Sequence, residues 1–363
     1  MKTAILISEG SAEVKNIGDY IQSIAGAQFF DVVDCYLERE TLKDITSSEK
    51  VNCIMNGWYM WCPESFPPSK DVNPLYVSMH ISPSVADRML TKDSIEHLKT
   101  YAPIGARDVQ TQRLLASKGI ESYLSGCLTL TLDRTFKTAE NNHKTYIVEP
   151  YIDFGTSKSK LIRYCKGFYY FLKYYSVTKT ISKKYDDEVI QTTKPGSIKR
   201  YILKIIRSSF FYQEYRSCFD DEIMIDATYV SHVVRRDEYP TVEQMMNYAK
   251  DLLMQYSKAG LVITSRIHCA LPCLSLETPF IFVSSEELAS DSYRPSGRFE
   301  GLVDMFNQMN ISNCYLEPVS EILKKELTSG KIRTNHKLIN PSKYKVFQKT
   351  LKATVCDWVA NLK

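Results

Sequence analysis

The chain has 363 residues, 44 % of them apolar and 24 % charged, and a formal net charge of +4. That balance excludes wholesale disorder, collagen-like repeats and low-complexity architectures, and the length suits two domains of about 150 residues each. No apolar run approaches the ~20 residues of a spanning helix, and the apolar start turns polar after about six positions, so a mature cytosolic chain is expected.

Residues 3–8 (TAILIS) form a continuous apolar run, as a parallel strand buried on both faces does. Similar runs recur at 52–58, 74–81 and 121–125. Helix-like stretches lie between them, at about 17–29 and at about 109–118, with Asp108 as N-cap and Gly119 as stop. Strand alternating with helix is the pattern of an α/β sheet. It resumes with a strand expected at 222–230 and a helix at about 241–258, opened by Thr241 and Gln244 at capping-box spacing. Strand 261–265, a helix at about 266–277, strand 280–284 and a last helix at about 342–361 follow. That last helix carries Tyr344, Phe347, Leu351, Val355 and Trp358 on one face.

Between the two α/β stretches the composition changes. Residues 157–213 hold 13 Lys/Arg against three acids, a net of +10, which leaves −6 for the rest of a chain totalling +4. The same block holds 12 Tyr/Phe. Two amphipathic helices are expected there, at 160–175 and 198–212, with Arg200, Lys204 and Arg207 on one face of the second. Such a block suits an anionic membrane surface, an insertion packed on its own domain, or nucleic acid; the last lacks any accompanying fold signature. The resulting division is 1–135, a linker or insertion at 136–220, a second domain at 221–340, and a terminal helix at 341–363.

Ten cysteines, with no CxxC pair, read as reduced thiols rather than a disulfide framework or zinc ribbon, and no metal-ligating cluster stands out.

Four constellations could carry chemistry. Thr264-Ser265-Arg266-Ile267-His268 follows a buried strand and opens a helix, where backbone N–H groups favour anions. The alternative is Arg266 bridging a surface carboxylate and His268 packing in the core. Pro103-Ile104-Gly105-Ala106-Arg107-Asp108 presents Arg107 beside a helix-capping acid, or simply an arginine paired with its neighbour. Asn16-Ile17-Gly18-Asp19 lets backbone approach a ligand or merely starts a helix; it is no GxGxxG fingerprint, and no P-loop occurs anywhere. Arg294 and Arg298 lie in a Gly/Pro-containing loop that either closes over a charged ligand or stays solvated. His232, His80 and Asn56 sit beside strand ends, each as readily structural as functional.

Taken together, the segments NIGDYIQSIAGAQFF (16–30), IMNGWYMW (54–61), PIGARDVQTQRLLASKGIESYLSGCLTLTL (103–132) and VITSRIHCALPCLSLETPFIFV (262–283) resemble the polysaccharide pyruvyl transferases, with SGRFEGLVDMF (296–306) a weaker match. The resemblance implies two Rossmann-like domains facing across a cleft, as in GT-B glycosyltransferases, with the basic-aromatic block between them. It implies phosphoenolpyruvate as co-substrate, with no resident cofactor and no metal, and a saccharide acceptor that is free, lipid-linked or polymeric. By the same resemblance His268 and Arg107 are catalytic, and Arg266 and Ser265 bind the donor together with either Arg298 or Arg294. Asn16, Gly18, Asp19, Asn56, His80 and His232 are left as acceptor or cleft residues. A lysine seen in one branch of the family has no counterpart, since Leu288 stands at that spacing. The expected product is a pyruvate ketal on a surface-polysaccharide sugar, made in the cytoplasm at the inner membrane face, with peripheral contact to anionic lipid and none to nucleic acid. The alternatives are a nucleotide-sugar glycosyltransferase on the same fold, and a non-catalytic member of a polysaccharide assembly complex.

Overall fold

The computed structural model describes residues 2–10, 12–59, 61–154, 159–284, 299–334 and 338–362. Arg294 and Arg298 lie outside the described residues. The protein is mixed α/β, with sheets dominated by parallel pairing. The first sheet has the order Cys35–Glu38, Lys2–Ile7, Val51–Ile54, Val72–Leu75, all parallel. The second has the order Thr228–Val230, Thr145–Val148, Leu261–Thr264, Phe280–Ser284, Gln308–Ser312, Tyr315–Pro318, parallel except for its last pair. Val51–Ile54, Thr145–Val148 and Leu261–Thr264 are buried along their whole length, as parallel strands covered on both faces are.

The first helix runs Ile17–Ala27, capped by the Asn16 side chain. The helix Val109–Ser117 is capped by Asp108, which accepts from Thr111 N, and the chain leaves it through Gly119 at φ +69°. Thr241 and Gln244 form the expected capping box on Val242–Ser257. The terminal helix Tyr344–Ala360 buries Tyr344, Leu351 and Val355. It reaches residues of the first stretch: Gln348 Nε2 donates to Leu130 O, and Trp358 sits edge-on to Phe30.

Two expectations need correction. Residues 222–230 are not one strand but a short helix, Asp221–Asp226, followed by Thr228–Val230. Acids at 220–222 favour a helix start, and only the last three residues join the sheet. The second sheet also begins far earlier than 221. Thr145–Val148, within the expected insertion, is its second strand. Three apolar residues after a threonine, beside a basic-aromatic block, are too short a signal to stand out.

The rest of the block is helical: Lys160–Lys173, Tyr175–Lys184, Glu188–Gln191 and Ile198–Tyr215. It packs on the second sheet through Ile181, Tyr185, Ile206, Phe210, Phe211 and Tyr215, against Ile147, Tyr229, Ile263 and Val283. Arg207 therefore faces inward, paired with Asp187 and lying over the Phe154 ring, and Arg200 donates to Thr193 O. The basic face expected to meet a membrane is largely used within the protein.

The two sheets are joined near the pocket. Val14–Asn16 pairs antiparallel with Val233–Arg235, and Ile17 N donates to His232 O at 2.7 Å. The largest apolar cluster runs through both halves, from Ile5, Tyr20 and Ile24 to Val262, Leu271 and Phe282.

Candidate active site

Three adjacent parallel strands end on one side of the second sheet and supply Glu149, Ser231 with His232, and Ser265 with Arg266. Outside the carboxyl ends of parallel strands is where α/β proteins receive ligands. The helix Ile267–Ser275 starts here, and so does Ile17–Ala27 from the other sheet. A pocket is lined by Asn16, Gly18, His232, Ser265, Arg266, Ile267, His268 and Phe299. Six of the residues singled out in the sequence thus meet in one place.

The approach of the two helix starts depends on Gly18. A Cβ at that position would lie 3.0 Å from His268 Nδ1 and 3.1 Å from both His268 Cβ and Asn16 Oδ1. The missing side chain lets the two helix starts converge on His268. At the first of them Ile17 N and Gly18 N are already taken by His232 O and Asn16 Oδ1, so its pull on an anion comes from the helix dipole.

Arg266 is held by carboxylates: Glu149 grips its Nε and Nη2, and Nη2 also donates to Glu188 at 2.7 Å. Glu149 is the hub that the sequence did not reveal. It is buried, at φ +44°, and its Oε1 accepts from Ser231 Oγ (2.5 Å), His232 N (2.8 Å) and Val233 N (3.1 Å). Burial alone would raise its pKa, but Arg266, Ser231 and His232 outweigh that and hold the carboxyl below the usual range. Ser265 Oγ accepts from Tyr151 N at 2.7 Å, and the His232 ring pairs with the Tyr256 hydroxyl at 2.9 Å. These bonds fix the pocket floor. Nearby, Cys269 is pulled below the thiol range: burial opposes this, but hydrogen bonds from Cys273 and His232 prevail.

Arg107 is fully buried at the end of the strand Ile104–Ala106. Among the described residues none of its three guanidinium nitrogens has a hydrogen-bond partner, and its one ion pair is Nε to Asp108 at 3.4 Å. Asp108 is itself committed to His80 Nδ1 (2.6 Å) and to Thr111 N. Burial would raise the Asp108 carboxyl, but His80, Arg107 and the Thr111 N–H bring it to about 2. His80 is thus a partner of the helix cap. Val109 N donates to Glu300 O, which ties this turn to the segment that starts at Phe299 in the pocket wall. Asn56 and Asp19 line a neighbouring cavity with Arg39, where Asn56 donates to Gln22 O and Arg39 reaches Asp19 at 3.4 Å.

Fold and site thus define an α/β protein with a polar pocket at the carboxyl ends of its parallel strands. The chain belongs to the polysaccharide pyruvyl transferase family, whose model matches residues 16–287. No curated protein matches it. Among solved structures, the Escherichia coli ADP-heptose LPS heptosyltransferase II is similar at 10 % identity over 90 % of this chain and 97 % of that one, with a TM-score of 0.24, too slight a likeness to carry an argument.

Proposed function

We propose that the protein transfers the enolpyruvyl group of phosphoenolpyruvate to a sugar of a surface polysaccharide or its lipid-linked precursor, at the inner face of the membrane. The observation that carries this reading is the convergence of two helix N-termini on His268, in a chain of this family. Phosphoenolpyruvate is a small anion of high charge. Helix-end N–H groups, Ser265 and Arg266 suit its phosphate and carboxylate. The exposed Glu188 arm would yield to the ligand, while buried Glu149 keeps Arg266 in place.

In the reaction His268 delivers a proton to the methylene carbon, and positive charge develops at the neighbouring carbon. One sugar hydroxyl attacks there, the bond to the phosphate oxygen breaks, and a second hydroxyl closes the ketal. Of the two hydroxyl protons, one is balanced by the new methyl hydrogen and the other leaves with phosphate. An imidazole suits both proton steps near neutrality. Arg107 would stabilise the phosphate as charge accumulates on it. In this reading phosphoenolpyruvate is a co-substrate and no resident cofactor takes part.

A thermal-shift titration with phosphoenolpyruvate, with UDP-sugars in parallel, tests it. A ligand at about a hundred times its Kd stabilises by ~2.7 kcal/mol. Saturable stabilisation by phosphoenolpyruvate, weakened in His268→Ala, is expected. A response to UDP-sugars alone would overturn the reading in favour of glycosyl transfer.

A further inference from the structure

The helix Lys160–Lys173 is amphipathic with its apolar side turned outward. It packs through Gly167, whose absent Cβ leaves room for Ile206, and through Tyr170 and Tyr174, whose rings meet Phe210 and Tyr212. These pairings run in step, so it lies parallel to the helix Ile198–Tyr215. Its opposite side carries Leu161, Cys165, Tyr169 and Leu172, spaced four, four and three residues apart, which is a single helical seam. All four are exposed, Leu161 by 74 % and Leu172 by 71 %. Because the helices are parallel, the exposed start of the second, with Ile198 at 79 % and Tyr201, lies at the level of Leu161. Lys160, Lys166 and Lys173 are exposed on the same helix. Residues 159–185 hold seven Lys/Arg and no acid.

We propose that this two-helix face lies on an anionic lipid bilayer, its aliphatic side chains entering the acyl boundary and its lysines meeting the headgroups. A shallow amphipathic face with a cationic rim has the chemistry of interfacial binding. Among the described residues no helix is long and apolar enough to cross a membrane, so the protein would lie on the surface rather than span it. A second copy of the chain fits poorly, since a two-fold contact would set the same cations against each other with no acid to answer them. Nucleic acid fits less well too, because leucine and isoleucine offer no stacking surface to bases. For its purpose the inference rests on the lipid-linked acceptor proposed above. Its test does not use transfer activity, so either can fail alone.

The full chain would be sedimented with vesicles rich in phosphatidylglycerol and, separately, with vesicles of phosphatidylcholine alone. Binding to the first and little to the second is expected. The double variant Leu161→Ser/Leu172→Ser should lower partition at least about tenfold, and Lys166→Gln about fivefold at low salt. Val346→Ser removes an equally exposed apolar side chain elsewhere and should change nothing. All four residues are exposed, so an unchanged melting temperature separates lost binding from lost folding. Three results would overturn the proposal: no vesicle binding by the wild type, unaltered binding by the double variant, or a dimer in solution that the double variant dissociates.

Discussion

Among the described residues Arg107 has a single acid to answer its charge. Its guanidinium is fully buried and finds no hydrogen-bond partner among them, only Asp108 at 3.4 Å, and Asp108 is already shared with His80 and Thr111. Each buried polar group left unpaired costs about 1–3 kcal/mol, and replacing a buried ion pair by apolar side chains of similar volume is often neutral or stabilising by about 1–4 kcal/mol, whereas stranding one partner is costly. Here Asp108 is not stranded, because it keeps His80 and Thr111. Arg107→Met keeps most of the length and volume. It should therefore raise the stability of the ligand-free protein by about 1–3 kcal/mol, seen as a melting temperature higher by a few degrees. In the same variant the stabilisation by phosphoenolpyruvate should fall away. The assay is a paired melting curve, with and without ligand, on wild type and Arg107→Met. A variant less stable than wild type would mean that the arginine is satisfied within the fold. A variant that still responds fully to phosphoenolpyruvate would mean that the charge serves another purpose. Either result refutes the reasoning.

Glu149→Gln should cost about 3 kcal/mol in urea denaturation at neutral pH, the low end for a broken buried pair because Glu188 still holds Arg266. Its carboxyl is held below the ordinary range, so it stabilises the fold above the unfolded-state pKa and loses that contribution as pH falls. The acid limb of the stability profile should accordingly be shallower in the variant, and an identical limb would count against the hub. Glu188→Gln removes the exposed competitor for Arg266 and should tighten phosphoenolpyruvate binding severalfold in a calorimetric titration, whereas weaker binding would make Glu188 part of the site. Gly18→Ala gains helix propensity worth up to about 1 kcal/mol but presses on His268, so stability should stay near wild type while ligand affinity drops. Unchanged affinity would show that the imidazole has room to move.

The turn around Arg266 and His268 was legible because its parts are adjacent: a continuous apolar strand, a polar turn and a helix start. Asn16 and Gly18 were legible for the same reason. Glu149 was not. It follows a strand of only four residues and meets Arg266 across a long stretch of chain, so neither spacing nor periodicity marks it. The isolation of Arg107 was equally invisible, since a sequence shows which residues are cationic but not which acids are spoken for. In the basic block, the helical pattern showed that two amphipathic helices exist but not which way they turn. Ile206 and Phe210 decide that by packing on the second sheet, which draws Arg207 inward and leaves Leu161 and Leu172 outside.

The short ladder between Val14–Asn16 and Val233–Arg235 joins parts of the chain made early and late in synthesis. A ribosome must therefore release most of the polypeptide before either wall of the pocket has its counterpart. Contacts so distant along the chain close slowly, because the entropy of the intervening loop is lost before any contact compensates for it. Until then the first helix start would stand without its partner strand, and the nascent protein would be blind to its ligand. The pocket is in this sense a feature of the joined halves, closed when the later strand arrives rather than built half by half.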